Sequence, residues 1–406
     1  MTVLAFLREN ARWVGGAFLM NYFTAFGQTY FISLSAGDIR AEYGLSHGDF
    51  GLVYMGATLL SAATLTRLGR IVDHRSVVQV VLLVMPLLAL ACLLMALSRW
   101  VFLLFIALYM LRLFGQGMMS HIAVTAMGRW FNAMRGRAVS FSSLGLQTAE
   151  ASFPLIFVAV SGLVGWRGSW VAAAALTLAV GLPLIVALMR VERAPQSAAT
   201  GHKVQTAPRD WTRGEVLRDP LFWAILAVFL APPFIGTTIF FHQVYMVELR
   251  GWTLEMFAGS FFLMSISSLA AMLATGVMVD RFSSVAVMPF MLLPIAAACL
   301  IIGFSGAAWT PFVFMPLIGF SMGASGTLNG SLWPELYGAR HLGSIRAVVI
   351  AAIVFSTAVG PGLTGYLIDA GVFYPAQIAV MGIVSIALAM LMAGLRRRLL
   401  KRAGAE

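Results

Sequence analysis

Two ionisable residues stand where a charge is costly. Arg112 lies twelve residues past Trp100, and Glu150 lies thirteen residues past Arg137, each inside a long apolar run. At a rise of 1.5 Å per residue in a helix, they sit about 18 and 20 Å in from opposite faces of an apolar layer. That places opposite charges at mid-depth on consecutive elements. A central charge costs at least roughly 2.5–3.5 kcal/mol on membrane-insertion scales, so it is normally paired and functional. The chemistry on offer is narrow. A guanidinium binds an anion or a strongly hydrogen-bonding solute, a carboxyl takes up and releases a proton, and the two together also make a purely structural buried ion pair. Gln116 follows Arg112 by one turn and shares its face; Gln147 precedes Glu150 by three residues and shares that one.

Other chemistries lack their residues. The six histidines fall in separate elements, and Cys92 and Cys299 both lie inside apolar runs, so neither a metal cluster nor a disulfide framework is expected. Gly360-Pro-Gly-Leu-Thr-Gly365 fits the spacing of a dinucleotide loop, but it sits in an apolar span with no soluble strand before it. Asn329-Gly-Ser331 fits a glycosylation acceptor and also lies within a span. A Walker loop is missing, which removes ATP-driven transport. These features argue against an enzyme and against a bound cofactor.

The elements that must position these residues follow from composition. Of 406 residues, 60% are hydrophobic and only 43 are charged, with a mean hydropathy of +0.89. A soluble core could not bury that surface. Apolar runs fall at about 13–37, 48–66, 77–97, 101–125, 138–163, 168–189, 221–247, 256–275, 285–305, 309–332, 344–368 and 373–395. Each meets or approaches the roughly 20 residues that cross a bilayer. The reading is an all-α membrane protein with twelve transmembrane helices, here called segments 1 to 12. Residues 1–189 form an N-terminal six-helix bundle, 190–220 a cytoplasmic linker, and 221–406 a C-terminal six-helix bundle with a basic tail. Thr212-Arg-Gly-Glu215 in the linker resembles a capping box and predicts a short surface helix before Pro220. Met1 to Arg12 runs into segment 1 with no small-residue cleavage site, so no cleavable signal peptide is expected.

Charge distribution sets the sides. Twenty-two of the 27 Lys and Arg residues fall in one set of loops together with both termini, against four (Arg40, Arg99, Arg167 and Arg250) in the opposite set. The positive-inside rule therefore makes both termini and the linker cytoplasmic in an inner, or cell, membrane. The net charge of +11 is thus a topology signal rather than a nucleic-acid footprint.

The halves also repeat. At an offset of 207 residues, Gly69 and Asp73 match Gly276 and Asp280, Cys92 matches Cys299, Gly136 matches Gly343, and Pro154 matches Pro361. An even number of spans between copies makes the repeats parallel, with substrate expected near the bilayer midplane. Arg112 and Glu150 have no counterparts; Gly319 and Thr357 stand at those positions.

These residues resemble the major facilitator superfamily of secondary transporters over essentially the whole chain. Gly69-Arg-Ile-Val-Asp73-His-Arg75 and Gly276-Val-Met-Val-Asp280-Arg281 are similar to its G-x-x-x-D-R loop signature. Arg112-Leu-Phe-Gly115-Gln-Gly117 is similar to its R-x-x-x-x-G element, and Trp130 to Ala138 to its W-F-x-x-x-R-G-x-A turn. A narrower resemblance, to monocarboxylate and oxalate–formate porters, rests on Asp219-Pro-Leu-Phe-Trp223, Gly251-Trp-Thr253 and Pro334-Glu-Leu-Tyr-Gly338. Segment 8 lacks the charge that group usually carries there.

The resemblance implies alternating access, with segments 1, 4, 7 and 10 lining the cavity. The expected substrate and proton pathway is Arg112, Glu150, Gln116, Gln147, Asn21, Gln28, Tyr30, His242, Gln243 and Asn329. His242 fits a proton carrier or a hydrogen-bonded rim histidine equally, and His121, out of phase with Arg112, is read as structural. The expected gating loops are Gly69, Asp73 and Arg75, with Gly276, Asp280 and Arg281. In them Asp73 accepts from a helix N-terminus or pairs with a nearby Arg. Pro232-Pro233 is expected to break segment 7, and Gly27 with Gly37 to loosen segment 1. The function expected is secondary transport of a small organic solute by a monomeric carrier, through proton-coupled uptake of an organic anion such as a monocarboxylate. Uptake of a neutral, vitamin-like heteroaromatic nutrient, efflux of small toxic compounds, and a non-transporting receptor or assembly factor remain alternatives.

Overall fold

The structure is a computed structural model that describes residues 3–131, 134–191, 193 and 209–403, so residues 194–208 of the linker lie outside it. The described residues are helical throughout, with no strand. Among the described residues, nine helices are long and apolar enough to cross a membrane. One of them, Gly136–Met189, is 54 residues long and carries segments 5 and 6 together. Gly165 (φ 72°, ψ 169°) is its non-helical residue, and the turn between the two segments rests on the φ freedom of glycine. The remaining two segments are irregular or polar. Segment 1 begins in the 21-residue helix Val3–Phe23, which carries Arg8, Glu9 and Arg12, and continues in short pieces, and segment 2 (His47–Leu68) carries Asp49, Arg67 and four Ser or Thr residues. Leu82, Leu273, Val277 and Ile350 are about half exposed or more on the outside of these helices. A solvated surface would not carry such a density of apolar groups, and a lipid-facing one does.

The chain forms two compact units, Met1–Gly201 and His202–Glu406. The 207-residue offset reappears in their backbone. Helix Ala36–Tyr43 ends on a left-handed Gly44 (φ 64°), and Gln243–Arg250 ends on Gly251 (φ 63°). The next helices open three residues later on hydroxyl caps, Ser46 and Thr253, whose side chains accept from Asp49 N and Met256 N. Ser76 and Ser283 cap the third helices of each unit in the same register. Thr212 caps Arg213–Leu217 through a capping box with Glu215, giving the short helix expected before Pro220.

The first segments of the two units differ from the expected pattern. Segment 1 leaves the α-helix after Phe23, passes through a tight turn at Thr24–Gly27, and becomes extended at Gln28 (φ −83°, ψ 148°). Thr24 and Ser33 hydroxyls donate to Asn21 O (2.6 Å) and Thr29 O (2.8 Å), which satisfies carbonyls that the broken ladder releases. Segment 7, in contrast, runs unbroken as Pro220–Phe241 through Pro232-Pro233. This corrects the expected break. A proline ring fixes φ near the helical value, so the pair removes two ladder bonds without forcing the chain out of the helix. The interruption comes instead at His242 (φ −98°, ψ 21°).

Candidate functional site

Arg112 sits in a π-helical stretch, Leu111–Met119, inserted between the α-helices Val101–Met110 and Ser120–Trp130 of segment 4. The widened turn is packed against the break in segment 1. A Cβ on Gly27 would lie 2.3 Å from Leu111 O, and one on Gly115 would lie 2.7 Å from Gly27 Cα. Only glycine permits this backbone-to-backbone crossing. It carries the Gly27 carbonyl, left free by the tight turn, to the guanidinium: Arg112 Nη1 donates to Gly27 O at 3.1 Å and to Thr29 Oγ1 at 3.5 Å. Thr29 Oγ1 is hydrogen-bonded to Tyr54 OH at 2.6 Å, and the Arg112 guanidinium stands 5.4 Å from the centre of the Tyr54 ring. Segments 1, 2 and 4 thus meet on one cation that is only 4% exposed.

The other edge of that guanidinium is unpartnered among the described residues. Nε is buried with no hydrogen-bond partner, and Nη2 makes no hydrogen bond among the described residues. Arg112 does not form an ion pair with Glu150 among the described residues, which corrects the expected pairing of the two mid-depth charges. Depth along two helices does not fix which way their side chains turn, and the Gly27 carbonyl takes the guanidinium on another side. Glu150 is half-buried on segment 5, with the buried Tyr30 hydroxyl within its electrostatic reach. One turn before it, Gln147 Oε1 is buried without a partner. Tyr22 OH bonds Ser152 Oγ at 3.1 Å on the same helix. Asn21 is a strut: its Nδ2 donates to Ser142 O at 3.0 Å, and its Oδ1 accepts from Ser120 Oγ at 3.5 Å. Gln28 holds the extended residue of the break, and Gln116 makes no side-chain hydrogen bond among the described residues.

In the second unit the expected residues make the following contacts. His242 is 3% exposed; its Nε2 donates to Pro361 O at 3.2 Å, and its ring stands edge-on to Tyr374 at 5.4 Å. Gln243 beside it is fully buried. Asn329 Oδ1 accepts from Trp333 Nε1 at 2.7 Å, one turn along its own helix.

The two loops expected to gate are held differently. Arg129, at the end of segment 4, donates to Val72 O at 3.0 Å and pairs with Asp73 at 3.3 Å. His121 Nε2 donates to Gly69 O at 3.2 Å. Arg75 ends that loop in an extended conformation. In the second copy Asp280 has no ion pair among the described residues, Arg281 lies over the Phe282 ring at 5.2 Å, and Gly276 faces open space. The grip comes from Glu335, which is 5% exposed and accepts from Ser284 N at 3.0 Å.

Sequence reasoning missed Glu335, and it missed a clasp around Asp219. The Asp219 carboxylate caps Leu221 N at 3.2 Å, accepts from Tyr337 OH at 2.9 Å and pairs with Arg402. The Arg402 guanidinium lies 4.8 Å from the Trp211 ring centre and 5.8 Å from that of Tyr337. The available signal was the acid directly before Pro220, a helix-start pattern.

A family model described as Major Facilitator Superfamily matches residues 17–349. The chain belongs to this superfamily. It is a transporter rather than an enzyme, and its fold is the all-α, multi-pass membrane fold of the superfamily. The chain is similar to crystal structures of a bacterial homolog to the human lysosomal transporter Spinster. In the inward-facing, occupied form the TM-score is 0.68 at 16% identity, covering 96% of this chain and 93% of that one. In the inward-facing, unoccupied form it is 0.66 at 15% identity, covering 98% and 94%. These likenesses concern fold. A stretch of 139 residues is 30% identical to the oxalate:formate antiporter of Oxalobacter formigenes, which is 34% of this chain and 32% of that protein. The match therefore spans about a third of the antiporter's length.

Proposed function

We propose that this superfamily member carries a small organic anion into the cell by proton symport, with Arg112 as the anion anchor and Glu150 as the proton-carrying group. The observation that carries the reading is the unpartnered Nε/Nη2 edge of Arg112, a residue 4% exposed that forms no ion pair among the described residues. A buried, uncompensated cation is unfavourable, and an entering anion supplies the missing charge. That edge presents two parallel N–H groups, the geometry a carboxylate accepts. The Gly27 carbonyl and Tyr54 ring fix the guanidinium on its other side, so it is preorganised. Glu150, a carboxyl in an apolar span, crosses the membrane more cheaply as the neutral acid. The carrier is a monomer of two six-helix bundles, 1–189 and 221–406, joined by a cytoplasmic linker, with both termini cytoplasmic in the cell membrane. Similarity to the oxalate:formate antiporter supports an organic anion and favours a second reading, anion exchange with no proton.

One assay separates the two. A thermal-shift screen of small acids and vitamins on purified protein supplies the probe, and proteoliposomes then compare counterflow with uptake driven by a pH gradient. Symport requires that folded Glu150→Gln keep counterflow but lose uphill accumulation, and that Arg112→Ala lose both. If Glu150→Gln still concentrates the probe against its gradient, exchange or another coupling group is correct. Size-exclusion chromatography establishes folding first, because removing a buried charge's surroundings destabilises the fold by itself.

A further inference from the structure

We infer that the site is selective for monoanions and rejects dianions of the same size; this rests on the anion reading above. The basis is the charge count against the geometry. Within the twelve apolar runs below their ends, Arg112 is the cation and Glu150 the acid; segments 7, 8, 10 and 12 contain no Lys, Arg, Asp or Glu. The surroundings of Arg112 add dipoles but no further positive charge: a carbonyl (Gly27), a hydroxyl (Thr29) and an aromatic ring (Tyr54). One guanidinium edge, Nε with Nη2, therefore matches one carboxylate. A second carboxylate on the ligand would enter the same low-dielectric region with no cation to meet it. That charge would be uncompensated by any contact, and discrimination by a charge left unpaired is characteristically strong. Of the two anions in the antiporter's name, formate fits this arithmetic and doubly ionised oxalate does not.

Three matched pairs of probes test it: formate and oxalate, propionate and malonate, benzoate and phthalate. Binding is read by thermal shift on the purified full-length protein at pH 7.5 and constant ionic strength, with monomethyl malonate and monomethyl phthalate as size controls. We expect at least one monoacid to stabilise the protein and its diacid to need about 100-fold higher concentration, equivalent to about 2.8 kcal/mol. The corresponding monomethyl ester, as bulky as the diacid but singly charged, should return to within about fivefold of the monoacid. A diacid that binds as well as its monoacid overturns the inference and leaves anion transport standing. An ester rejected as strongly as the diacid also overturns it, because size would then be the filter. If no member of any pair stabilises the protein, or if folded Arg112→Gln and Arg112→Lys both keep the full shifts, the anion reading itself fails.

Discussion

Asp73 and Asp280 occupy equivalent positions in the repeat, yet only the first is engaged. Asp73 meets Arg129, which also holds Val72 O, and His121 holds Gly69 O; Asp280 has no ion pair among the described residues. Both aspartates are solvated, so neither contributes much to stability. Their difference should appear in rate. Asp73→Asn is expected to slow turnover several-fold while leaving the apparent affinity within a few-fold, since its loop lies at the end of a segment rather than at mid-depth. Asp280→Asn should change turnover by less than twofold. Initial rates over a range of probe concentrations in proteoliposomes check both. An equal slowing by the two variants would mean that the repeat, and not the Arg129 contact, determines the role. The expectation that Asp73 pairs with a nearby Arg was readable from its loop, and so was the loss of that pairing in the second copy, where Leu336 stands at the position equivalent to Arg129. What was not readable is that Glu335 reaches Ser284 N from another helix.

Helix caps are local, and the one read from the sequence, Thr212 with Glu215, is present. Ser46, Ser76, Thr212 and Thr253 each accept from a backbone N–H three residues on, and each marks a helix start. Where the backbone leaves regular geometry, local signals failed. The π-helical stretch at Leu111–Met119 and the unbroken Pro232-Pro233 helix both depend on neighbours that pack against them. The ends of segments 3 and 9 show a related effect. In the first unit Arg167 donates to Ala96 O and, at 2.7 Å, to Ser98 O. In the second, Arg250 donates to Ile302 O at 2.6 Å and Gly303 O at 3.2 Å. Ala96 and Gly303 are equivalent in the repeat, whereas the two arginines come from different elements. Both units therefore place a guanidinium on the same helix C-terminus, where free carbonyls and the helix dipole favour a cation. Arg167→Met or Arg250→Met should cost about 1–2 kcal/mol, the lower part of the range for hydrogen bonds to a charged group, because both side chains stay partly solvated. Lowered melting temperatures in detergent would show it. The Asp219 clasp should behave as one unit: the double variant Asp219→Asn with Arg402→Met should melt no lower than the worse single variant. Additive losses would mean that the ion pair is incidental to the Trp211 and Tyr337 packing.

The proposed orientation of the chain turns on a small number of charges in one set of loops. Arg40, Arg99, Arg167 and Arg250 are the four positive residues on the side opposed to the other loops. Two of these, Arg167 and Arg250, are committed to helix ends, and Arg167 is also paired with Glu42 at 2.6 Å. A guanidinium neutralised by a carboxylate or spread over helix carbonyls is a weak topological counterweight. The 22 residues on the opposing side include the exposed Arg396, Arg397, Arg398 and Lys401 of the tail. The bias toward cytoplasmic termini is therefore larger than the bare count. Paired reporters test it: alkaline phosphatase, active only outside, and green fluorescent protein, fluorescent only inside. Fusions after Ala194 and after Arg402 should fluoresce and lack phosphatase activity, while a phosphatase inserted after Gly165 should be active. The Arg402 junction leaves the Asp219 clasp intact, so a signal there reports topology rather than misfolding. Removing the outer anchors gives a sharper version. Arg167→Met together with Arg250→Met should leave all three signals unchanged, since these residues stabilise helix ends and do not hold the chain's orientation. Phosphatase activity from either the Ala194 or the Arg402 fusion would remove the twelve-span, positive-inside arrangement, and with it the assignment of the Asp73 loop to the cytoplasmic side.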